Sequence, residues 1–350
     1  MNRKGIAMQE RKRQHKNRYK RRKRRINRSI LIYSGIVITL AGLFHVATDK
    51  FILSTEKQQI LNSINISDIE QEQNIKNSDK EIDVKNLYSS YAILIDLTDN
   101  KILGEHNSQE RMYPASLTKI MTAIIAIENT NNLEEVITLP IDIFEKLYSE
   151  NASMAGFQPG EQVKLKDLVY AILLPSGAES CMAFADRISG SEEAFVELMN
   201  QKAKELGMKN THFSNSTGLH EVDHYSTVED MAILLSYALQ NESFRSAFTS
   251  SRYSTQSTAQ HPVGLTLHST MFKYMDSTEV TGGEIIGGKT GYTDEAGLCL
   301  ASLANIGGKE YILVTAKANG TPYTKKFHIL DAIDIYNQIG EMEEFTDMAS

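Results

Sequence analysis

The sequence has very few cysteines, only Cys181 and Cys299 in 350 residues. Both lie in apolar runs, so two buried free thiols are favoured over a disulfide bridge. Internal repeats are also absent, and this argues against a repeat architecture. With 41% hydrophobic residues, the chain has enough apolar material for one large domain or two smaller ones, each with its own core.

Charge is absent from one long segment. Residues 29–48, "SILIYSGIVITLAGLFHVAT", contain no Asp, Glu, Lys or Arg and match the roughly 20 residues needed to cross a bilayer. The preceding residues 1–28 carry fourteen Lys or Arg and a single acid. A basic tail beside an apolar span predicts positive-inside topology. We therefore expect a single-pass cell-membrane protein with a cytoplasmic tail, a transmembrane signal-anchor and an extracytoplasmic body.

Two alternatives apply to this N-terminal region. The basic tail could bind nucleic acid, but its position next to an apolar span favours the membrane, so no nucleic-acid partner is expected. The span could also be a cleaved signal peptide, although His45 breaks the small-x-small pattern that cleavage needs. The remaining residues, 51–350, hold 22 basic against 42 acidic residues, so the body is acidic.

Residues 49–85 are rich in Asn, Gln, Ser, Asp and Glu, a composition typical of a solvated stalk. The folded domain is expected over residues 86–345. Its first two β-rich runs flank "TDNK" at residues 98–101, which predicts a hairpin. From Pro114 a helix is predicted that is apolar on nearly all sides, as for a helix buried in a domain.

The middle of this domain is helical in pattern, and its end returns to β. Three short β-runs follow residue 282, and "GGK" at residues 307–309 predicts a hairpin turn between the last two. β-structure at both ends with helices between them predicts an α+β fold, with one antiparallel sheet flanked by helices.

A possible nucleophile is found in "SLTK", where Ser116 and Lys119 share one face of a helix start. A serine hydroxyl needs a base, and a lysine desolvated by apolar neighbours can serve as one. The helix N-terminus also directs free N–H groups towards an oxyanion beside Ser116. By itself this motif is weak, because many helices contain it by chance.

Two further motifs follow in order. "LLPSGAES" places Ser176 in a turn between helices. "GGKTGYT" places Lys289 and Thr290 on a β-run, where they could meet a substrate carboxylate, and Gly291 would let the substrate approach the strand. Each is weak alone, but the ordered set on helix, loop and strand is far less likely to occur by chance.

With these motifs, residues 86 to about 340 resemble the serine D-alanyl-D-alanine carboxypeptidases, the low-molecular-mass penicillin-binding proteins. "YPASLTKIMTA", "LKDLVYAILLPSGAES", "HFSNSTGLHEVDHYSTVEDMA" and "GGKTGYTDEAGLCLAS" follow the family pattern in order. The resemblance implies the serine β-lactamase/D,D-peptidase fold, with an all-helical subdomain and no cofactor or metal. It implies peptidoglycan stem peptides ending in D-Ala-D-Ala as substrate and β-lactams as covalent inhibitors.

The resemblance also implies residue roles. Ser116 would be acylated, Lys119 would be its base, and Ser176 would relay a proton to the leaving group. The terminal carboxylate would be held by Lys289 and Thr290. The remaining substrate-binding positions are Gly291 and Tyr292, the backbone N–H groups of Ser116 and Tyr292 forming the oxyanion hole.

The chain departs from the family pattern in two ways. The family usually reads S-G-N where this chain has Ala178, and the missing carboxamide would normally orient the substrate and the lysine. "SEN" at residues 149–151 matches S-x-N formally but lies upstream of the expected helix. Many members also continue into a β-rich second domain and a C-terminal anchor. Here about 60 residues follow Lys289, so anchoring is expected from the N-terminal span.

"HEVDH", residues 220–224, matches the H-E-x-x-H signature of zinc peptidases. A zinc site requires a helix that brings both histidines to one face. Gly218 precedes the motif, and the next helix has its own cap at Ser226 or Thr227. The segment is therefore expected to be a polar loop packed near the active site.

Two other functions remain open for the domain. One is a different acyl-serine enzyme on the same fold, a β-lactamase or an esterase, although no loop offers a clear glutamate for deacylation. The other is a non-catalytic penicillin-binding module, which Ala178 favours and the intact Ser116, Lys119 and Lys289 oppose.

Overall fold

The computed structural model describes residues 82–349, with side chains as far as Met342. The expected basic tail (1–28), the membrane span (29–48) and the stalk as far as residue 81 lie outside the described residues. Within the described part, no helix combines the length and the apolar character that a bilayer crossing requires.

A six-stranded antiparallel sheet is built from both ends of this region. Its spatial order is β2-β1-β10-β9-β8-β7. Its strands are β1 (Ser89–Asp96), β2 (Lys101–His106), β7 (Glu279–Val280), β8 (Gly283–Thr293), β9 (Gly297–Ile306) and β10 (Lys309–Ala318). Two small ribbons pair β3 (Val136–Thr138) with β4 (Gln162–Lys164), and β5 (Arg252–Ser254) with β6 (Thr266–His268).

Both hairpins predicted from turn residues are confirmed. β1 pairs with β2 across residues 97–100, and Asn100 there has the positive φ (51°) that favours Asn or Gly. β9 pairs with β10 across Gly307 and Gly308, whose φ values of 59° and 88° suit a two-residue turn.

The helices lie between β2 and β7, with one more at the end of the chain. They are α1 (Lys119–Glu128), α2 (Ile143–Ser149), α3 (Leu165–Leu173), α4 (Ala178–Ser189), α5 (Glu192–Glu205), α6 (Val228–Ala238), α7 (Glu242–Phe248) and α8 (Phe327–Ala349). Nine of the ten residues of α1 are buried, so the predicted central helix is confirmed. The helix predicted near residue 227 begins where the Thr227 hydroxyl accepts a hydrogen bond from the Asp230 N–H.

The sheet separates two apolar cores. Alternate residues of a strand point to opposite faces, and in β1 Ile93 belongs to one core while Leu94 belongs to the other. The first core contains the helices α1, α3 and α6. The second lies under α8, and it also buries Ile82 and Val84, which composition had assigned to the stalk. Helices on both faces of an antiparallel sheet confirm the α+β class.

The terminal helix α8 had not been anticipated. The Asp331 carboxylate accepts hydrogen bonds from the backbone N–H and the hydroxyl of Ser89 at 2.9 and 2.6 Å. Further along the helix, the hydroxyl of the fully buried Tyr336 lies 3.0 Å from that of Ser302 in β9. These contacts tie α8 to the central strands.

Candidate active site

The proposed nucleophile Ser116 lies in a 3-10 turn, Ala115–Thr118, that leads directly into α1. Ala115 has a positive φ of 47°, a strained conformation for a residue with a Cβ. This turn directs the half-buried Ser116 hydroxyl towards Lys119, whose Nζ donates to Ser116 Oγ at 3.3 Å. The pairing predicted from S-x-x-K is therefore present.

Lys119 is 2% exposed, and within the part of the chain that the structure describes no carboxylate lies in hydrogen-bond reach of its Nζ. Its other described hydrogen bond is to the main-chain oxygen of Thr217, in the loop before α6. Burial lowers the pKa of Lys119, with Cys181 and Glu179 partly opposing the shift. A lysine with this surrounding is suited to accept a proton from serine.

Ser176 and Lys289 form a second serine–lysine pair. Ser176 has a φ of 72° in the turn before α4, and its Oγ accepts from Lys289 Nζ at 3.0 Å. Lys289 is fully buried in β8, where burial and the nearby Lys119 hold the pKa of Lys289 well below its usual value. The two pairs are neighbours because β8 runs beside the nucleophile turn, and the charge of Lys119 is felt at Lys289.

The close approach of β8 depends on Gly291. A Cβ at this position would lie 3.1 Å from the Ser116 backbone nitrogen and 3.2 Å from the Ala115 Cβ. Beside it, the hydroxyl of Thr290 lies 2.6 Å from that of Thr270. Tyr292 follows in β8, and its hydroxyl donates to Asp294.

"HEVDH" forms a loop rather than a helix, as expected. Its histidines face different partners. His224 is buried and lies 2.7 Å from Thr118 Oγ1, whereas His220 packs edge-on against the Tyr113 ring at 4.6 Å between centroids. Among the residues that the structure describes, no group of three or more His, Cys, Asp or Glu could hold a metal ion.

The loop lies directly against the nucleophile turn. A Cβ on Gly218, which has a φ of 79°, would fall 1.9 Å from the Ala115 carbonyl oxygen. The Asn215 side chain organises the loop from within. Its oxygen accepts from the backbone N–H of Thr217 and Gly218, while its amide donates to Leu219.

A cleft of about 680 Å³ extends from Thr217 and Tyr292. Its ionised lining is mainly acidic, and one cation, Lys146, pairs with Glu192 at 3.0 Å. The carboxylates along the cleft are Glu150, Glu192, Glu221, Asp294 and Glu295. Asn151 also lines this cleft, but Ser149 of the same "SEN" stretch is exposed and donates to the Lys146 carbonyl.

A family model described as D-alanyl-D-alanine carboxypeptidase matches residues 75–320 of the chain. The chain belongs to this family. A Bacillus subtilis D-alanyl-D-alanine carboxypeptidase, DacF, is 35% identical over 243 residues, which is 69% of this chain and 60% of DacF. Escherichia coli DacC is 37% identical over 151 residues, 41% of this chain and 37% of DacC. The chain thus spans less than two thirds of these relatives.

Solved structures agree with the family fold. The crystal structure of a Streptomyces DD-transpeptidase has a TM-score of 0.64 and 27% identity, covering 72% of this chain and 97% of that protein. A Mycobacterium tuberculosis D-alanyl-D-alanine carboxypeptidase has a TM-score of 0.60 and 19% identity, covering 76% and 94%, and shows the shared fold.

The family's usual asparagine is replaced by Ala178, the first residue of α4, which is fully buried. The next residue, Glu179, was not anticipated. Its Oε1 accepts from the backbone N–H of Ala155 and Gly156 at 2.7 and 3.0 Å, whereas its buried Oε2 has no partner among the described residues. Burial raises the pKa of this carboxyl. Thr270 was also missed, because nothing in the sequence pairs it with Thr290.

Proposed function

We propose that the chain is a membrane-anchored, extracytoplasmic serine D,D-carboxypeptidase that removes the terminal D-alanine from peptidoglycan stem peptides. The observation that carries this proposal is the pair of neighbouring serine–lysine contacts, Lys119 with Ser116 at 3.3 Å and Lys289 with Ser176 at 3.0 Å. Family membership supports the same chemistry. Residues 29–48 supply the membrane anchor of the proposal.

In the acylation step, neutral Lys119 accepts the Ser116 hydroxyl proton as Oγ attacks the carbonyl carbon of the D-Ala-D-Ala bond. The backbone N–H groups of Ser116 and Tyr292 stabilise the oxyanion. When the C–N bond breaks, Ser176 gives its hydroxyl proton to the leaving amine of D-alanine and takes in its place the proton that Lys119 had accepted from Ser116, which returns Lys119 to its neutral form. Lys289 Nζ donates a hydrogen bond to Ser176 Oγ and so holds this hydroxyl in position for the proton transfer.

The terminal carboxylate of the substrate is bound at the β8 edge. Lys289 Nζ donates a hydrogen bond there, and the arriving carboxylate favours the protonated form of this buried lysine. Thr290 supplies a hydroxyl already in contact with Thr270 at 2.6 Å. Gly291 keeps this edge close to Ser116. The carboxylate is thereby held on the leaving-group side of the nucleophile, which explains selection of a C-terminal residue.

The acyl-enzyme is then hydrolysed by water, with Lys119 acting again as the base. β-Lactams acylate the same Ser116 Oγ and act as covalent inhibitors. Without the family's carboxamide at Ala178, substrate orientation rests on Ser176, Lys289 and the backbone. We therefore expect slower turnover than a member with the asparagine.

A second candidate function is transfer of the acyl group to an amine instead of water. The Streptomyces neighbour is titled a DD-transpeptidase. The acidic lining of the cleft beside Tyr292 would attract a cationic amine acceptor. Added amino acids or amino peptides would then give a transfer product at the expense of hydrolysis.

The test uses the purified full-length chain with a labelled penicillin and a peptide ending in D-Ala-D-Ala. We expect covalent labelling, D-alanine release and loss of both in Ser116→Ala. Labelling without D-alanine release would favour a penicillin-binding module. Rapid hydrolysis of the penicillin instead would favour a β-lactamase, and labelling that persists in Ser116→Ala would exclude this nucleophile.

A further inference from the structure

His224, the second histidine of "HEVDH", has no place in the reaction steps above, yet it contacts the nucleophile turn. It is 2% exposed and packs against the Phe213 ring. Both ring nitrogens are hydrogen-bonded. One faces Thr118 and the other faces the backbone N–H of Ser214, so the imidazole bridges the loop before α6 and the turn before α1.

The hydrogen-bond partners fix the tautomer of this imidazole. The Ser214 N–H can only donate, so Nδ1 at 3.0 Å must accept and carries no proton. In a neutral ring the proton is then on Nε2, which donates to Thr118 Oγ1 at 2.7 Å. Burial, followed by the nearby His212, His220 and Lys119, lowers the pKa of His224 to about 3, so the ring stays neutral.

Thr118 directly precedes the base Lys119 in sequence and is itself fully buried. The loop before α6 makes further contacts with α1. Its main-chain oxygens at Ser216 and Thr217 accept from Thr122 Oγ1 and Lys119 Nζ, respectively. The His224–Thr118 bond is the contact that joins the loop to the turn itself through two side chains.

We propose that His224 is a positioning residue that holds the Thr118 turn so that Ser116 and Lys119 keep their hydrogen-bonded geometry. The proposal rests on the acyl-serine reaction at Ser116 for its kinetic consequence, but the bridge itself is independent of that reaction. Misplacement of a reacting group by about 1 Å can cost on the order of 100-fold in rate. Loss of this one hydrogen bond is therefore expected to slow acylation by roughly 10-fold or more.

Two variants separate the halves of the bridge. In His224→Gln the amide nitrogen can occupy the position of Nε2 and donate to Thr118. In His224→Asn the shorter side chain can place its oxygen near Nδ1 and accept from Ser214, but it cannot reach Thr118. Thr118→Val removes the acceptor while keeping the side-chain shape.

The measurement is the second-order rate of acylation of the full-length chain by a fluorescent penicillin, with the melting temperature of every variant. We expect His224→Gln to recover most of the rate that His224→Ala loses, and His224→Asn to recover little. Thr118→Val should lose as much of the acylation rate as His224→Ala. The double variant His224→Ala/Thr118→Val should be acylated no more slowly than either single variant. With the peptide substrate, kcat should fall while KM changes little.

Rescue by Asn instead of Gln, or additive losses in the double variant, would overturn the positioning role. The bridge is checked separately by nitrogen NMR of the imidazole, which should show Nε2–H and no titration between pH 5 and 8. A proton on Nδ1, or titration in that range, would refute it. A wild-type chain that takes no penicillin label contradicts the proposed function instead.

Discussion

The distance between β8 and the nucleophile turn can be tested by Gly291→Ala. The added Cβ would lie 3.1 Å from the Ser116 nitrogen, 3.2 Å from the Ala115 Cβ and 3.2 Å from the Pro114 oxygen, against 3.4–4 Å for ordinary contacts. All three close contacts are with one turn, and two of them are with its backbone atoms. The steric overlap can therefore be removed only if β8 and the turn move apart by roughly 0.3 Å.

This separation widens the site between Ser116 and the strand that binds the carboxylate. If a 1 Å displacement costs on the order of 100-fold, a few tenths of an ångström should slow acylation by about 3- to 10-fold. The corresponding loss of transition-state stabilisation is roughly 0.7–1.4 kcal/mol. The backbone of Gly291 does not have a positive φ, so alanine is not otherwise strained there.

The assay is stopped-flow acylation by a fluorescent penicillin, alongside thermal unfolding. Gly104→Ala is the matched control. Gly104 lies in β2, far across the sheet from β8, and a Cβ there would also be too close to a neighbour, 2.9 Å from the Val84 Cγ1. We expect that control to lower the melting temperature without changing the acylation rate. An unchanged rate in Gly291→Ala, or an equal loss in both variants, would refute the reasoning.

Three further outcomes are expected. Since burial lowers the pKa of Lys119, the rate of acylation should increase as pH rises through that lowered value. The variant Lys119→Arg should take no penicillin label between pH 5 and 9. Labelling of that variant would contradict the assignment of Lys119 as the base. The pKa values of His224 (about 3) and His328 (about 4) lie below the unfolded value of about 6.5, so the unfolded chain binds more protons in between. The free energy of unfolding should therefore fall as pH decreases from about 6.5 to about 4, by up to about 1.4 kcal/mol per pH unit for each histidine. Urea denaturation at several pH values should show that the free energy of unfolding of His328→Asn falls less steeply with decreasing pH than that of the wild type. The same slope in both would show that His328 does not contribute to this pH dependence. Ala178→Asn should release D-alanine faster and, because the site is fully buried, cost roughly 1–3 kcal/mol of stability; unchanged release would show that the absent carboxamide is not limiting.

The parts of the fold that sequence could predict depend on local signals. The apolar α1, the Gly307–Gly308 turn and the Thr227 cap are each encoded within a few residues. The three motifs were identified for the same reason, and in the structure their side chains form two neighbouring serine–lysine pairs.

The contacts that sequence could not predict join distant segments. His224 with Thr118 and Thr270 with Thr290 each depend on packing between elements, and nothing near either residue specifies the partner. The helix α8 was not predicted either. The apolar residues of α8 pack on the second face of the sheet, and this packing partner is not evident until the sheet itself is known.

The sheet order has a consequence for when the two serine–lysine pairs can form. β1 pairs with β10, so Ser89 lies opposite Ala318, with the whole helical region between them in the chain. Such long-range pairing forms slowly and late in folding. Lys289 reaches the Ser176 hydroxyl from β8, a strand that is paired with β9. A chain synthesised only as far as β8 can therefore form the Ser116 turn, but it lacks β9 and β10, the strands that hold Lys289 beside Ser176.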